Sequence, residues 1–329
     1  MTTLRIGILG AARIAPAAIV KPARKVGRAE IVCVAARDVG RARAFAEKWS
    51  IPNVHGSYED VIADPGVDAI YNPLPNALHA QWTIAALEAG KHVLCEKPLT
   101  SNADQAREVA AVAQSSGRVL MEAFHYRYHP MMQRAVEVAQ SGELGEEQHV
   151  ESWMQIPLFK PSDIRFVLAL GGGAVMDLGC YSIHQLRSLT GEEPTVISAT
   201  AKERSGAPGV DRWMRSDLRF PSGATSRFTV SLYGARILRI GIRVIGSLGE
   251  LRIFNPAGPQ FHHRFTVRFN DGTKRRETFP KVPTYHYQLE AFCDAVLEGA
   301  PVLTGPSDSV ANMEVIDAVY RAAGLPTRP

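Results

Sequence analysis

Over its first 123 residues the chain alternates, at short and regular intervals, between aliphatic runs and stretches with helical spacing. Leu4–Gly10, Ile31–Ala36, Val67–Tyr71, His92–Cys95 and Val119–Ala123 read as strands. Ile14–Lys25, Arg41–Trp49, Tyr58–Ala63, Ala77–Ala89 and Asn102–Ser115 read as the helices between them. Gly90 and Gly117 stand where a helix closes with a left-handed residue. Pro16 and Pro22 weaken the first helix at its start and end. Alternation of this kind predicts an α/β fold, a doubly wound parallel sheet covered by helices.

In such sheets ligands bind beyond the carboxyl ends of the strands. Three strand ends carry chemistry. The first runs into Gly10-Ala11-Ala12-Arg13-Ile14-Ala15, with the spacing of G-x-G-x-x-G/A and alanine at the second and third glycine positions. It follows a strand and opens a helix, and a helix N-terminus suits a pyrophosphate. Gly10, Ala12, Arg13 and Ile14 are therefore candidate cofactor contacts; a tight turn without ligand is the alternative. The second strand ends Ala35-Ala36-Arg37-Asp38, about 20 residues on, where a carboxylate would hold the ribose 2′-hydroxyl of NAD. Ala36 takes that place and Arg37 follows, and a guanidinium there pairs with a 2′-phosphate. NADP is expected over NAD, with Asp38 as the competing ribose acid in a shifted register. The third is Val93-Leu94-Cys95-Glu96-Lys97-Pro98, a buried strand running into a charged pair. Lys97 either lies between cofactor and substrate or is a surface lysine. Between these, the loop Asn72–His79 is stiffened by Pro73 and Pro75. Leu74 belongs to it, Asn76 either caps the next helix or meets a ligand, and His79 is a site residue or a packing histidine.

From Glu122 to Pro130 the alternation stops in a segment dense in aromatics and histidine, which places a domain boundary near Phe124: 1–123 and 124–329. His125 and His129 are four apart, as metal ligands on a helix are, but no third ligand is evident and Pro130 limits a helix. No metal is expected. Gly171-Gly172-Gly173 leads into a helix, Ala174–Leu189, on which Asp177, Tyr181 and His184 share a face. A stripe of Asp, Tyr and His is costly to bury without partners, so it faces water or a cleft. The triple glycine favours the cleft, because it permits close approach of backbone to a ligand. Beyond Pro194 come strands Val196–Ala201, Trp213–Phe220, Thr225–Leu232, Leu238–Ile245, Glu250–Phe254, Phe265–Phe269 and Lys274–Thr278, after an earlier one at Gln148–Ile156. They predict a second, α+β domain with a large, mainly antiparallel open sheet. One face packs on helices. Exposed aromatics and aliphatics on the other would need a partner, so a homodimer or homotetramer through that face is expected. Tyr287–Leu297 and Asp308–Ala323 are terminal helices.

A net charge of +4 over 329 residues, with no basic stripe, argues against nucleic acid as a partner. Four scattered cysteines without CxxC read as buried thiols in a reducing compartment. No leader and no apolar run long enough to span a bilayer is evident. A soluble cytoplasmic protein without a membrane partner is the expectation.

GILGAARIA, PLPNALHA, AGKHVLCEKPLT, MEAFHYRYHP and the later GGG-x-x-x-D-x-x-x-Y together resemble the glucose-fructose oxidoreductase/inositol dehydrogenase (Gfo/Idh/MocA) family, nearest its dimeric dihydrodiol dehydrogenase and NADP-dependent xylose dehydrogenase branch. The resemblance spans nearly the whole chain. It implies a Rossmann first domain, Lys97 as the active-site lysine, a cis Lys97–Pro98 peptide and Glu96 along the cofactor. It also implies Tyr126 and Arg127 near the site and the last chain segment returning to the nucleotide domain. Arg165 resembles a family arginine near cofactor or substrate, with a solvated charge as the alternative, and Tyr285 is a candidate lining residue. His184 stands where relatives carry Asn, Gln or Asp, which leaves the substrate open.

The implied reaction moves a hydride between nicotinamide and a carbinol or carbonyl carbon of a sugar, polyol or dihydrodiol. A cation beside a phenol lowers the phenol's pKa, and desolvation lowers that of a lysine. Lys97 and Tyr181 are the expected pair, Tyr181 carrying the proton and Lys97 polarising the substrate oxygen, with reversed roles open. Asp177 would hold a hydroxyl or orient Lys97, and His184 would contact substrate. A non-catalytic NADP-binding sensor of the same fold is the other reading.

Overall fold

The computed structural model describes residues 3–160, 162–232 and 238–329. The chain divides into two compact units, Met1–His125 with Tyr285–Val310, and Tyr126–Thr284 with Ala311–Pro329.

The first unit opens with β1 (Leu4–Leu9), a π-helical turn (Pro16–Val20) running into α1 (Lys21–Val26), β2 (Ala29–Ala35), α2 (Val39–Trp49) and β3 (Asn53–Val54). It continues with α3 (Tyr58–Ala63), β4 (Ala69–Asn72), a 3-10 turn (Asn76–Leu78), α4 (His79–Glu88), β5 (His92–Cys95), α5 (Ala103–Ser116) and β6 (Leu120–Glu122). All six strands are parallel in the order β3-β2-β1-β4-β5-β6. The chain reverses its direction of winding at β1, so the ends of β1 and β4 flank a crevice suited to a ligand. Helices on both faces explain why Ile8, Leu9, Val34, Ile70, Tyr71, Val93 and Leu94 are all fully buried.

Local sequence sets the helix ends. Asp38, Ser57 and Asn102 each accept a backbone N–H of the first turn that follows, capping α2, α3 and α5. Gly27 and Gly117 take left-handed conformations after α1 and α5. Both prolines of the first helical segment sit in first turns, Pro16 in the π turn and Pro22 in α1, where a missing N–H costs little. Asn76 does not cap α4: it lies inside the 3-10 turn, and His79 begins the helix. β3, with two residues, is too short to show a period and was not expected.

The second unit begins beside a 3-10 turn (His125–Tyr128) and holds α6 (Pro130–Gln140), β7 (Glu147–Gln155), 3-10 turns at Ile164–Phe166 and Leu168–Leu170, and a π turn (Val175–Gly179) that runs into α7 (Cys180–Thr190). Then come β8 (Thr195–Arg204), β9 (Ala207–Arg219), β10 (Thr225–Ser231), β11 (Arg239–Gly246), β12 (Gly249–Phe254), β13 (Arg264–Phe269) and β14 (Lys274–Glu277). Helices α8 (Thr284–Glu298) and α9 (Pro306–Ala322) complete the chain's elements, most of α8 belonging to the first unit. The sheet order is β14-β13-β12-β11-β7-β10-β9-β8. It is not a plain meander: β7 lies at the centre, antiparallel to β11 and parallel to β10. The β8–β9 hairpin also runs further than expected, because its polar tip, Lys202–Asp211, has no alternating apolar face to read.

Inward residues of this sheet, Val150, Met154, Met214, Phe228, Val230, Ile242, Leu251 and Val267, are buried. The outer face carries exposed apolar side chains, Ile197 on β8 and Phe254 on β12, but also more charge than expected. Asp217, Arg227, Glu151 and Arg243 alternate in sign across four neighbouring strands, with Arg227 on Asp217 at 2.5 Å, and Arg243 and Arg252, which lie opposite each other, share Glu250. In the next row Trp153 lies over Gly241, where a Cβ would come within 2.6 Å of the ring. Charge alternation, absent from any one strand's sequence, appears only once the strands are in register.

Candidate active site

In the first unit, β1 ends at Gly10 with φ +100°. Its N–H donates to Ala35 O at 2.7 Å, and a side chain there would meet Leu74 Cδ2 at 3.0 Å. Ala12 N donates to Gly10 O at 2.8 Å and Ala15 N to Ala12 O at 3.2 Å, so the turn is tight. Arg13 and Ile14 are exposed at its rim. After β2, Ala36 is buried and Arg37 exposed. Asp38 spends one oxygen on Arg41 N at 3.1 Å as the helix cap. Arg41 was missed in the sequence: its Nη2 donates to Ala11 O at 3.3 Å, which brings a second guanidinium to the glycine turn. Helical spacing places Arg41 one turn after Arg37, but nothing in the sequence says that its side chain turns back to the loop.

His79 is buried. One ring nitrogen faces Pro98 O at 2.8 Å and the other Leu74 O at 2.7 Å. Burial pushes its pKa down to about 4, so the neutral ring donates to one of these carbonyls at a time. It ties the Leu74 loop to the turn after β5.

That turn carries Lys97, half-buried, with the Lys97–Pro98 peptide cis, as the resemblance implies. Buried Glu96 accepts the Tyr71 hydroxyl at 2.7 Å. Burial raises the Glu96 pKa, against the pull of Tyr71 and Lys97. His125 stacks on Tyr285 with ring centroids 4.2 Å apart. Its pKa falls to about 3, first through burial and then through the Lys97 charge, so the ring is neutral. Burial, and then the Glu96 charge, raise the Tyr285 phenol well above its usual range. Within its own unit the Lys97 charge is thus felt by Glu96 and His125, and Tyr285 lies against His125. The sequence offered His125 only as a partner for His129. His129 has separate work: Nδ1 accepts Met131 N at the start of α6, and Nε2 faces Pro280 O. Another group of metal-type donors among the described residues, Cys33, His55 and Asp64, has the Lys91 ammonium beside it, 2.8 Å from Asp64 O and 2.7 Å from Val67 O.

In the second unit, the π turn and α7 carry Asp177, Tyr181 and His184. Asp177 is partly exposed and takes Arg165 Nε on Oδ2 at 2.8 Å, while Arg165 Nη1 reaches Asp163 at 3.1 Å. Asp177 is the main cause of the raised Arg165 pKa. Tyr181 is 7% exposed and His184 only 1%. Of the two settings expected for the stripe, open water does not hold for Tyr181 and His184, which are buried. His184 Nδ1 and the Tyr126 hydroxyl lie 2.5 Å apart, and the Tyr126 ring lies 5.7 Å from that of Tyr181. Arg127 is half-buried in the preceding turn.

Two of the three successive glycines are crowded by the chain itself. Gly173 sits at φ +139°, and a Cβ there would lie 2.2 Å from Asp211 Oδ1, 2.7 Å from Arg328 Nη2 and 2.8 Å from Tyr320 Oη. At Gly172 it would strike Arg165 O at 2.7 Å. The chain's own buried groups already exclude side chains at Gly172 and Gly173.

Comparison with known proteins agrees with this geometry. Residues 4–124 match the family described as "Oxidoreductase family, NAD-binding Rossmann fold", and residues 132–252 the "GFO/IDH/MocA C-terminal domain". The chain is 38% identical to D-xylose 1-dehydrogenase (NADP(+)) 2 of Haloferax volcanii over 97% of each chain. The crystal structure of a 3-ketoreductase from Actinomadura kijaniata in complex with NADP and TDP-benzene superposes with TM-score 0.89 at 29% identity, over 98% of each chain. So does that of an aldose-aldose oxidoreductase from Caulobacter crescentus complexed with glycerol, with TM-score 0.89 at 27% identity over 98% of each chain. With both halves matched and a relative aligned over nearly its whole length, the chain belongs to the GFO/IDH/MocA family of oxidoreductases.

Proposed function

We propose that the protein is an NADP-dependent oxidoreductase that interconverts a carbinol and a carbonyl carbon of a sugar, polyol or dihydrodiol, with Lys97 and Tyr181 as its catalytic groups. The observation that carries this reading is Lys97, half-buried at the carboxyl end of β5 in the sheet that also bears the Gly10 turn.

The residues present fit the cofactor. The Gly10–Ala15 turn is compact, with small residues where a pyrophosphate would approach. Ala36, not an acid, follows β2, and Asp38 beside it gives one carboxylate oxygen to the cap of α2. Two guanidinium groups, Arg37 and Arg41, stand there instead, which suits a 2′-phosphate. Arg13, Ile14, Leu74 and Glu96 complete the proposed cofactor contacts, and His79 holds two of their loops together.

When bound, NADP supplies a hydride acceptor or donor at the nicotinamide C4. The chain supplies the rest. In oxidation, the Lys97 ammonium stabilises the oxygen on which negative charge builds. Tyr181, entering the step as its phenolate, takes the hydroxyl proton and becomes the phenol, completing the balance of one hydride and one proton removed from the alcohol. Asp177, held by Arg165, accepts a hydroxyl of the substrate. Tyr285 lines the Lys97 side, and Tyr126 with His184 backs Tyr181. Neutral His125 leaves the Lys97 charge without a second cation beside it.

Two further readings rest on the surface and on the thiols. The outer face of the eight-stranded sheet, with Trp153 among paired charges, is the surface proposed for a homodimer or homotetramer. All four cysteines are buried and unbridged, which supports a cytoplasmic location. No helix among the described residues is long and apolar enough to cross a membrane.

The test is incubation with NADP⁺ or NADPH and a panel of aldoses, polyols, ketoses and trans-dihydrodiols while nicotinamide absorbance is followed. Turnover with at least one polyhydroxylated compound is expected. Tight NADP binding without turnover of any would favour the sensor instead.

A further inference from the structure

The helix that carries Asp177 and Tyr181 starts without a cap of its own. Ala174 precedes it in helical conformation and has no side-chain oxygen to offer. The acceptor comes from β9: Asp211 Oδ2 takes the Val175 N–H at 2.8 Å. Its other oxygen receives the Tyr320 hydroxyl at 3.0 Å and Arg328 Nη2 at 2.7 Å. Arg328 is only 1% exposed. Its guanidinium lies 3.8 Å over the Tyr320 ring, and its Nε donates to Gly172 O at 2.7 Å. One cation therefore binds both the carbonyl just before the helix and the carboxylate that caps it. All of these groups belong to the second unit.

We propose that Arg328 is a positioning residue for hydride transfer: by joining the Gly172 carbonyl to Asp211 it fixes the entry of the helix and so the aim of Tyr181 and Asp177. This rests on the reading of Tyr181 as a catalytic residue. A buried carboxylate stripped of its cation is left uncompensated and must move or take up a proton. Either response loosens the Val175 N–H contact at the head of the helix. Gly173 has no room to absorb the change, since it already packs against Asp211, Arg328 and Tyr320. A displacement of about 1 Å at a reacting group costs about a hundredfold in rate.

The test compares Arg328→Met, Arg328→Lys and Tyr320→Phe in the full chain, each assayed well below its own melting midpoint. Arg328→Met is expected to lower kcat roughly 10- to 100-fold, with the Kd for NADP unchanged within about twofold because the cofactor contacts lie in the other unit. Arg328→Lys keeps the charge but not the two-sided fork, and is expected to fall between Arg328→Met and the natural protein. Tyr320→Phe keeps the stacking and loses one hydrogen bond, and is expected to stay within about threefold of the natural protein. A lowered midpoint with natural kcat per folded molecule would overturn the proposal. If Arg328→Met does not fold, Arg328→Lys decides by the same measure. Tyr181→Phe, run alongside, separates the two claims: if it keeps full turnover, the catalytic reading fails whatever Arg328 does.

Discussion

Arg165 Nε lies 2.8 Å from Asp177 Oδ2 and its Nη1 3.1 Å from Asp163 Oδ1, so one guanidinium fixes the orientation of a carboxylate in the turn that runs into α7. Arg165 is about a third exposed, so solvent screens the pair and brings its contribution below that of a buried charge-assisted bond, to about 1 kcal/mol. Arg165→Ala is expected to raise KM for the sugar or polyol roughly fivefold. The Kd for NADP should stay as it is, measured by fluorescence titration.

The proposed contacts of Arg37 and Arg41 with a 2′-phosphate carry a prediction for cofactor choice. A charge-assisted bond to phosphate contributes about 1.5–3 kcal/mol, so Arg37→Ala and Arg41→Ala should each lower kcat/KM for NADP roughly 10- to 100-fold and leave that for NAD nearly unchanged. Placing an acid at the end of β2, with Ala36→Asp, should raise the preference for NAD. Steady-state kinetics with both cofactors checks all three variants.

Acid should weaken the fold in a defined window. His125 and His79 have pKa values pushed down to about 3 and about 4 by burial, against about 6.5 in an unfolded chain. Below about pH 6.5 the unfolded chain binds protons that the folded one refuses, so stability falls as pH drops from there toward the folded values. Above that window the two histidines contribute no pH dependence. The slope is on the order of 1 kcal/mol per pH unit for each ring. Chemical denaturation followed between about pH 7 and 4 should show it. His125→Phe should make the curve shallower even if the variant is less stable overall.

Gly173→Ala should be among the most damaging small substitutions in the chain. Its φ of +139° disfavours any side chain, and the new methyl would lie 2.2 Å from a buried carboxylate oxygen. A loss above about 3 kcal/mol is expected, read as a large fall in the melting midpoint or as loss of soluble protein.

The first sheet was legible because parallel strands buried on both faces appear as short apolar runs, as in 69–71 and 93–95. The second was legible as strands but not as an order, since nothing local says that β7 inserts between β10 and β11. At the site, Lys97 and the Gly10 turn stood out because strand ends carry chemistry in this architecture. The stripe on α7 showed which residues share a face but not that His184 would find Tyr126 and be buried with it. The triple glycine stood out in the sequence, but not the buried groups that crowd it. Its neighbours Asp211 and Arg328 are distant in sequence, and Asp211 sits in a stretch with no apolar period. Long-range polar pairs of this kind leave no periodic trace.

Lys97→Met removes the ammonium while keeping most of the side-chain volume, and so bears most directly on the proposed chemistry. The variant is expected to bind NADP within about threefold of the natural Kd and to lose about 10²- to 10⁴-fold in kcat on any substrate the natural protein turns over. A Lys97→Met enzyme that keeps kcat within a few-fold, with NADP bound and the fold intact, would contradict the account.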